Sequence, residues 1–266
     1  MEGVTTRSLL KKKLEGKKIT MVSTYDYLSA KLCRQVGIDC ILVGDSLGMV
    51  FQGLDTTLPV TIEEIIYHTK AVKRGAGDMF VIADMPFMSY QTGLEEAVRN
   101  CGRVIKEAGA NAVKLEGGRE IAELVHRLVS IGIPVVGHVG FTPQSIHVLG
   151  GYRVVGRLEE EERKLKEDFQ ALEQAGAFMV VLESVPKNLS KEITQNSKAI
   201  TIGIGAGPHC DGQVLVFYDL VGLVEDIKPK FVKRYVEGAD IFREALRRFK
   251  EDVEKGVFPS EEESYG

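Results

Sequence analysis

Four short apolar runs end on a carboxylate: CILVGD at Asp45, FVIAD at Asp84, AVKLE at Glu116 and FMVVLE at Glu183. Ser46 follows the first, Lys114 stands two residues before Glu116, and IPVVGH ends on His138. Acids brought to one place repel each other strongly unless a cation neutralises them. All-oxygen ligands favour a hard ion, and an incomplete protein set leaves positions for water and substrate. Mg2+ fits best, with Mn2+ and Zn2+ as alternatives. A buried lysine among such acids must pair with them or be reserved for an anionic ligand. The competing reading of each acid, taken singly, is a cap on the helix after its strand. His138 alone reads as a satisfied core histidine.

Whether these residues meet depends on the elements that carry them. Apolar runs recur over 19–26, 40–46, 80–86, 112–118, 133–140, 178–184, 199–207 and 214–219. Most stretches between them have helical spacing, as in Tyr27–Gln35, Thr92–Ala108, Arg119–Ile131 and the charged Glu159–Ala175. TIEE at Thr61 is a capping-box pattern. Eight strands alternating with helices predict a parallel sheet, and eight is the number that closes into a (β/α)8 TIM barrel. Ligands of such barrels sit at the carboxyl ends of the strands, where Asp26 and the residues above fall. Alternation sharpens the pattern: Lys114 and Glu116 share one strand face, while Val113 and Leu115 take the face that packs on the outer helices. The same parity groups Asp45 with Val43, Asp84 with Ile82 and Glu183 with Val181.

Two features fit less well. The seventh and eighth runs lie too close for a full strand–helix–strand unit, and 48–59 forms a long loop over one end. Gly203, Gly205 and Gly207 read equally as a phosphate-cradling loop or as a turn at a crowded barrel end. The chain reads as a single domain, 1–266, with a short N-terminal helix, a helix over 240–255 and a polar tail whose charge predicts disorder.

The bulk numbers narrow the class. A chain of 266 residues that is 44% hydrophobic suits one barrel domain. Lys and Arg total 34 against 38 Asp and Glu, so nothing marks a nucleic-acid surface. No apolar run reaches the roughly 18 residues that suggest a membrane span, and the N-terminus lacks a secretory signal pattern. Four scattered cysteines read as reduced thiols. The expectation is a cytoplasmic protein that acts on small molecules, with no nucleic-acid or membrane partner.

Longer motifs carry a resemblance. VGDSLGMVFQG, TLPVT, YHTKAVKRG, ADMPFMSYQ, AVKLEGG, GIPVVGHVGFTPQS, VLESVP, ITIGIGAG and DGQVLV, in this order, resemble the ketopantoate hydroxymethyltransferase family across essentially the whole chain. The resemblance implies a barrel of the phosphoenolpyruvate/pyruvate type, assembled as a homodecamer. It implies transfer of a one-carbon unit from 5,10-methylenetetrahydrofolate to 3-methyl-2-oxobutanoate, giving 2-dehydropantoate. On it, Asp45, Asp84 and Glu116 hold Mg2+, and Asp45, Ser46, Asp84, Lys114 and His138 form the substrate pocket. Glu183 is the proton acceptor. That chemistry asks for these residue types, because a metal and a fixed cation hold developing enolate charge while a separate carboxylate takes the proton. Two rivals stand beside it. A phosphoenolpyruvate mutase/isocitrate lyase-like enzyme would share the metal and the enolate, but the lyase cysteine segment has no counterpart here. A non-catalytic barrel that binds a 2-oxo acid would not need the spare glutamate.

Overall fold

The computed structural model describes residues 3–226 and 229–266. Eight strands form, the first seven within the predicted runs and the eighth starting two residues before its run: β1 (Ile19–Ser23), β2 (Cys40–Val43), β3 (Phe80–Asp84), β4 (Ala112–Glu116), β5 (Val135–Gly140), β6 (Met179–Glu183), β7 (Ile200–Ile204) and β8 (Gly212–Val216). All pair in parallel and in sequence order, and β8 returns to β1 to close the barrel.

The helices are α1 (Thr6–Leu14), α2 (Tyr27–Gln35), α3 (Leu47–Val50), α4 (Ile62–Ala76), α5 (Leu94–Ala108), α6 (Ala122–Ser130), α7 (Ile146–Leu149), α8 (Glu159–Gln174), α9 (Lys187–Asn196), α10 (Phe217–Leu220) and α11 (Gly238–Glu254). Local chemistry sets their starts. Asp26 accepts from the backbone N–H groups of Leu28 and Ser29 and caps α2, so this strand-end acid is a cap. Thr61 and Glu64 form the expected capping box of α4. The long loop after β2 is partly helical, because α3 begins at its first residues. Among the described residues no helix separates β7 from β8, which accounts for their close spacing. The glycine turn there is a packing device: a Cβ on Gly207 would lie 2.6 Å from Lys187 Cβ at the start of α9.

Two compact units divide the chain, Met1–Val216 with the whole barrel and Phe217–Gly266 with α10 and α11. In the second, Phe249 and Phe258 pack edge to face at 5.6 Å, and the tail adds a short 3-10 turn, Glu261–Glu263, capped by Ser260. That turn gives local order where charge alone predicted none.

Alternate strand positions fill the barrel. Ile19, Met21, Cys40, Leu42, Phe80, Ile82, Ala112, Val136, Met179, Val181, Ile200, Ile202 and Val214 form one buried apolar cluster. Leu9 of α1 joins it from the N-terminal end. There Lys13 latches α1 to the barrel floor: its Nζ donates to Asp211 Oδ2 (2.8 Å), Ala199 O (2.7 Å) and Ser197 Oγ (3.0 Å). Lys13→Met removes a charge-assisted, half-buried bond and is expected to cost about 1–3 kcal/mol. Urea unfolding checks it, and an unchanged midpoint would refute the latch.

Candidate active site

The same parity that buries Ile82 and Ala112 carries polar side chains inward at the carboxyl ends of the strands. Asp84 follows Ile82 on β3, Lys114 and Glu116 follow Ala112 on β4, His138 follows Val136 on β5, and Glu183 follows Val181 on β6. Asp45 arrives differently. On β2 the inward residues are Cys40 and Leu42, so Val43 faces out and the Val43 parity argument fails for Asp45. The strand ends at Val43, and the turn through Gly44 swings Asp45 inward to 3% exposure.

Lys114 is the centre of the cluster. Its Nζ lies 2.8 Å from Asp84 Oδ1, 3.6 Å from Glu116 Oε1 and 3.3 Å from His138 Nδ1. His138 spans two acids, with Nδ1 3.3 Å from Glu116 Oε1 and Nε2 3.2 Å from Glu183 Oε2. Lys114, Asp84 and Glu116 are all but sealed, whereas the Glu183 side chain keeps 15% exposure and faces the mouth. Ser46 Oγ bonds Tyr25 Oη at 2.7 Å.

Burial in so charged a place splits the acids. Asp45 is raised well above the carboxylate range by burial and by Asp84 and Glu116. Burial also raises Asp84, against the pull of Lys114. Glu116 goes the other way: burial works against its charge, but Lys114 and His138 outweigh it. Lys114 stays firmly protonated, because its three carboxylates overcome its own burial. For His138, burial and Lys114 oppose protonation, yet Glu116 and Glu183 on either side lift it to about 9.

Three residues beyond the predicted set complete the site. Gln144 donates through Nε2 to Asp45 Oδ2 (2.9 Å), and its backbone N–H donates to Glu116 Oε2 (3.0 Å). Tyr90 Oη donates to Gln144 Oε1 (2.8 Å) or to Glu116 O (3.0 Å). Tyr25, fully buried, orients Ser46. They sit in the STYD, SYQ and TPQ segments after strands, where no periodicity singles out a side chain. The backbone beside the site is also unusual. Ser184 (φ 50°) and Met88 (φ 64°) occupy left-handed conformations, which cost about 1–3 kcal/mol each and cluster at functional sites. Gly140 lets β5 close on the end of β6: a Cβ there would lie 2.3 Å from Glu183 O.

Whether the residues suit a metal can be read from their oxygens. Asp84 Oδ1 and Glu116 Oε1 are buried and, despite their ion pairs, take no hydrogen bond of acceptable geometry. Asp45, Asp84 and Glu116 are three buried carboxyl groups around one lysine, an excess of acid that a further cation would offset. Among the described residues, no three His, Cys, Asp or Glu side chains are arranged to hold an ion by themselves. The donor set therefore suits a hard cation completed by water and substrate oxygens.

A parallel eight-stranded barrel with acids at its carboxyl-end mouth belongs to a recognisable class. The structure is similar to 2,3-dimethylmalate lyase, described as a PEP mutase/isocitrate lyase superfamily member, with a TM-score of 0.64, 17% identity and coverage of 100% of this chain and 92% of that one. It is also similar to phosphonopyruvate hydrolase solved with oxalate and Mg++ (TM-score 0.62, 15% identity, 97% and 93% covered). These likenesses show the fold; the family is shown by sequence. Residues 3–261 match the model of the ketopantoate hydroxymethyltransferase family. The 3-methyl-2-oxobutanoate hydroxymethyltransferase of Aquifex aeolicus (strain VF5) is 70% identical over 263 residues, 99% of each chain. That of Pelobacter propionicus (strain DSM 2379 / NBRC 103807 / OttBd1) is 54% identical over 98% of this chain and 97% of its own. The chain belongs to the ketopantoate hydroxymethyltransferase family. Among the described residues no helix is long and apolar enough to cross a membrane.

Proposed function

We propose that this chain transfers a hydroxymethyl group from 5,10-methylenetetrahydrofolate to C3 of 3-methyl-2-oxobutanoate, giving 2-dehydropantoate and tetrahydrofolate. The observation that carries this reading is the division of labour at the mouth: a sealed Lys114–acid cluster beside a partly exposed Glu183. A barrel that only bound the 2-oxo acid would have no use for the second kind of carboxylate.

In this reading Asp45 and Asp84 would hold Mg2+, with Glu116 as the third carboxylate, and Mn2+ or Zn2+ are alternatives. Bound there, the ion would supply a Lewis acid for the keto and carboxylate oxygens of the substrate. Lys114 holds a fixed positive charge for the same anion, and Ser46 donates its hydroxyl to it. Glu183 accepts the proton from C3, the electron pair of the C–H bond moves into the enolate, and C3 then bonds the one-carbon unit as its two C–N bonds to folate break, their electron pairs returning to the folate nitrogens, which regain protons from Glu183 and from water. His138, against Glu183, orients the carboxylate that receives the proton. Water supplies the hydroxyl oxygen of the product.

Asp84→Ala is expected to weaken divalent-metal and 2-oxo acid binding together, each by about 10–100-fold. Calorimetry with and without metal checks this, and unchanged substrate affinity would count against a joint site. The whole reading is tested by assaying 2-dehydropantoate formation with and without a chelator. Absence of folate-dependent product at any metal concentration would sink it. The homodecamer belongs to the same proposal. It is supported by Phe242, Leu246, Phe249 and Val253, which lie exposed along α11 and which a second copy would cover. Light scattering tests the mass.

A further inference from the structure

We infer that Gln144 is a positioning residue that fixes the spacing between Asp45 and Glu116. The inference rests on the proposed role of those two acids as metal and substrate ligands, and assigns the part that holds them. Gln144 lies in the 3-10 turn Pro143–Ser145 after β5 and is 7% exposed. From there it contacts the exits of three other strands: Asp45 after β2, Met85 O after β3 (2.9 Å from Nε2) and Glu116 on β4. The orientation of its amide is over-determined. Two acceptors, Asp45 Oδ2 and Met85 O, face the NH2, while two donors, Tyr90 Oη and Gln91 Nε2 (3.3 Å), face Oε1. A flipped amide would set oxygen against oxygen on one side and donor against donor on the other. Glu116 Oε2 is held by the Gln144 backbone, which leaves Oε1 turned towards Lys114. Asp45, at the end of a turn with no strand to steady it, has its carboxyl oxygen Oδ2 held by the Gln144 amide. One residue thus sets the rotamers of two carboxylates that repel each other, and does so with neutral donors that add no charge.

Partners of ligating carboxylates typically matter by 10–100-fold in metal affinity. Gln144→Leu, close in volume, removes the amide while leaving the backbone bond to Glu116. Mn2+ affinity, read by electron paramagnetic resonance on substrate-free protein, should fall by about 10–100-fold. KM for 3-methyl-2-oxobutanoate should rise more than kcat falls. Gln144→Asn, one methylene short of Asp45, should bind as weakly as the leucine variant, and Tyr90→Phe, which frees the amide to flip, should lose a smaller factor. A folded Gln144→Leu or Gln144→Asn protein with wild-type Mn2+ affinity and a lowered Tm would make the residue structural only and overturn the inference. If Gln144→Leu does not fold, the asparagine and Tyr90 variants decide. Wild-type protein that binds no Mn2+ would instead overturn the proposed metal site, and this inference with it.

Discussion

Replacing Glu183 by glutamine should leave metal and 2-oxo acid binding intact and lower hydroxymethyl transfer by about 10²–10⁴-fold, the range for loss of a general base. The substitution keeps shape and a polar contact to His138 Nε2, and removes only the group that receives the proton. The decisive measurement omits folate altogether. Exchange of the C3 proton of 3-methyl-2-oxobutanoate in deuterated water, followed by NMR, reports the first step alone. Exchange should collapse in Glu183→Gln with metal affinity unchanged. Exchange at the wild-type rate would remove Glu183 from the role. The geometry makes the test sharp, because among the described residues the ion pair that joins Glu183 to the cluster is with His138.

The second large effect is expected at Lys114. Lys114→Met leaves Asp84 and Glu116 buried without their cation, and breaking a buried pair in this way costs about 3–5 kcal/mol. For a domain of this size that corresponds to a Tm lower by roughly 6–20 °C in chelator. Divalent metal should then restore part of the loss, since a ligand that binds only the folded state stabilises it and the orphaned acids are its proposed ligands. Activity should not return with it, because the substrate anion has lost a fixed charge. A Tm that stays at the wild-type value in chelator would contradict a central structural role for Lys114. A lowered Tm that metal leaves unmoved would contradict the proposed ligand set.

Much of this was legible from residue order. The strict alternation within AVKLE and FVIAD placed Lys114, Glu116 and Asp84 inside the barrel, because a five-residue strand has only two faces and one must pack on helices. Asp45 reached the site for another reason: β2 is three residues shorter than its run suggests, and parity ends where the strand ends. Asp26 looked like its companions and is a cap, since the choice between cap and ligand turns on the backbone after the strand. Tyr25, Tyr90 and Gln144 could not be found by pattern. They act from loops, where each side chain's direction is set by tertiary contacts, and their chemistry is ordinary in any surface turn.

The apolar septum inside the barrel separates two ends that do different work. Above it lie the acids, Lys114 and Gln144; below it Lys13 ties α1 to the floor, and between them the described residues form an apolar layer. Distant sites without shared partners behave additively, usually within about 0.3–0.5 kcal/mol. The two ends are therefore thermodynamically independent modules. Strengthening the floor should raise the melting temperature of even a crippled mouth variant by the same increment as in the wild type. The barrel can accordingly be made hardier from beneath while its catalytic constants stay where they are.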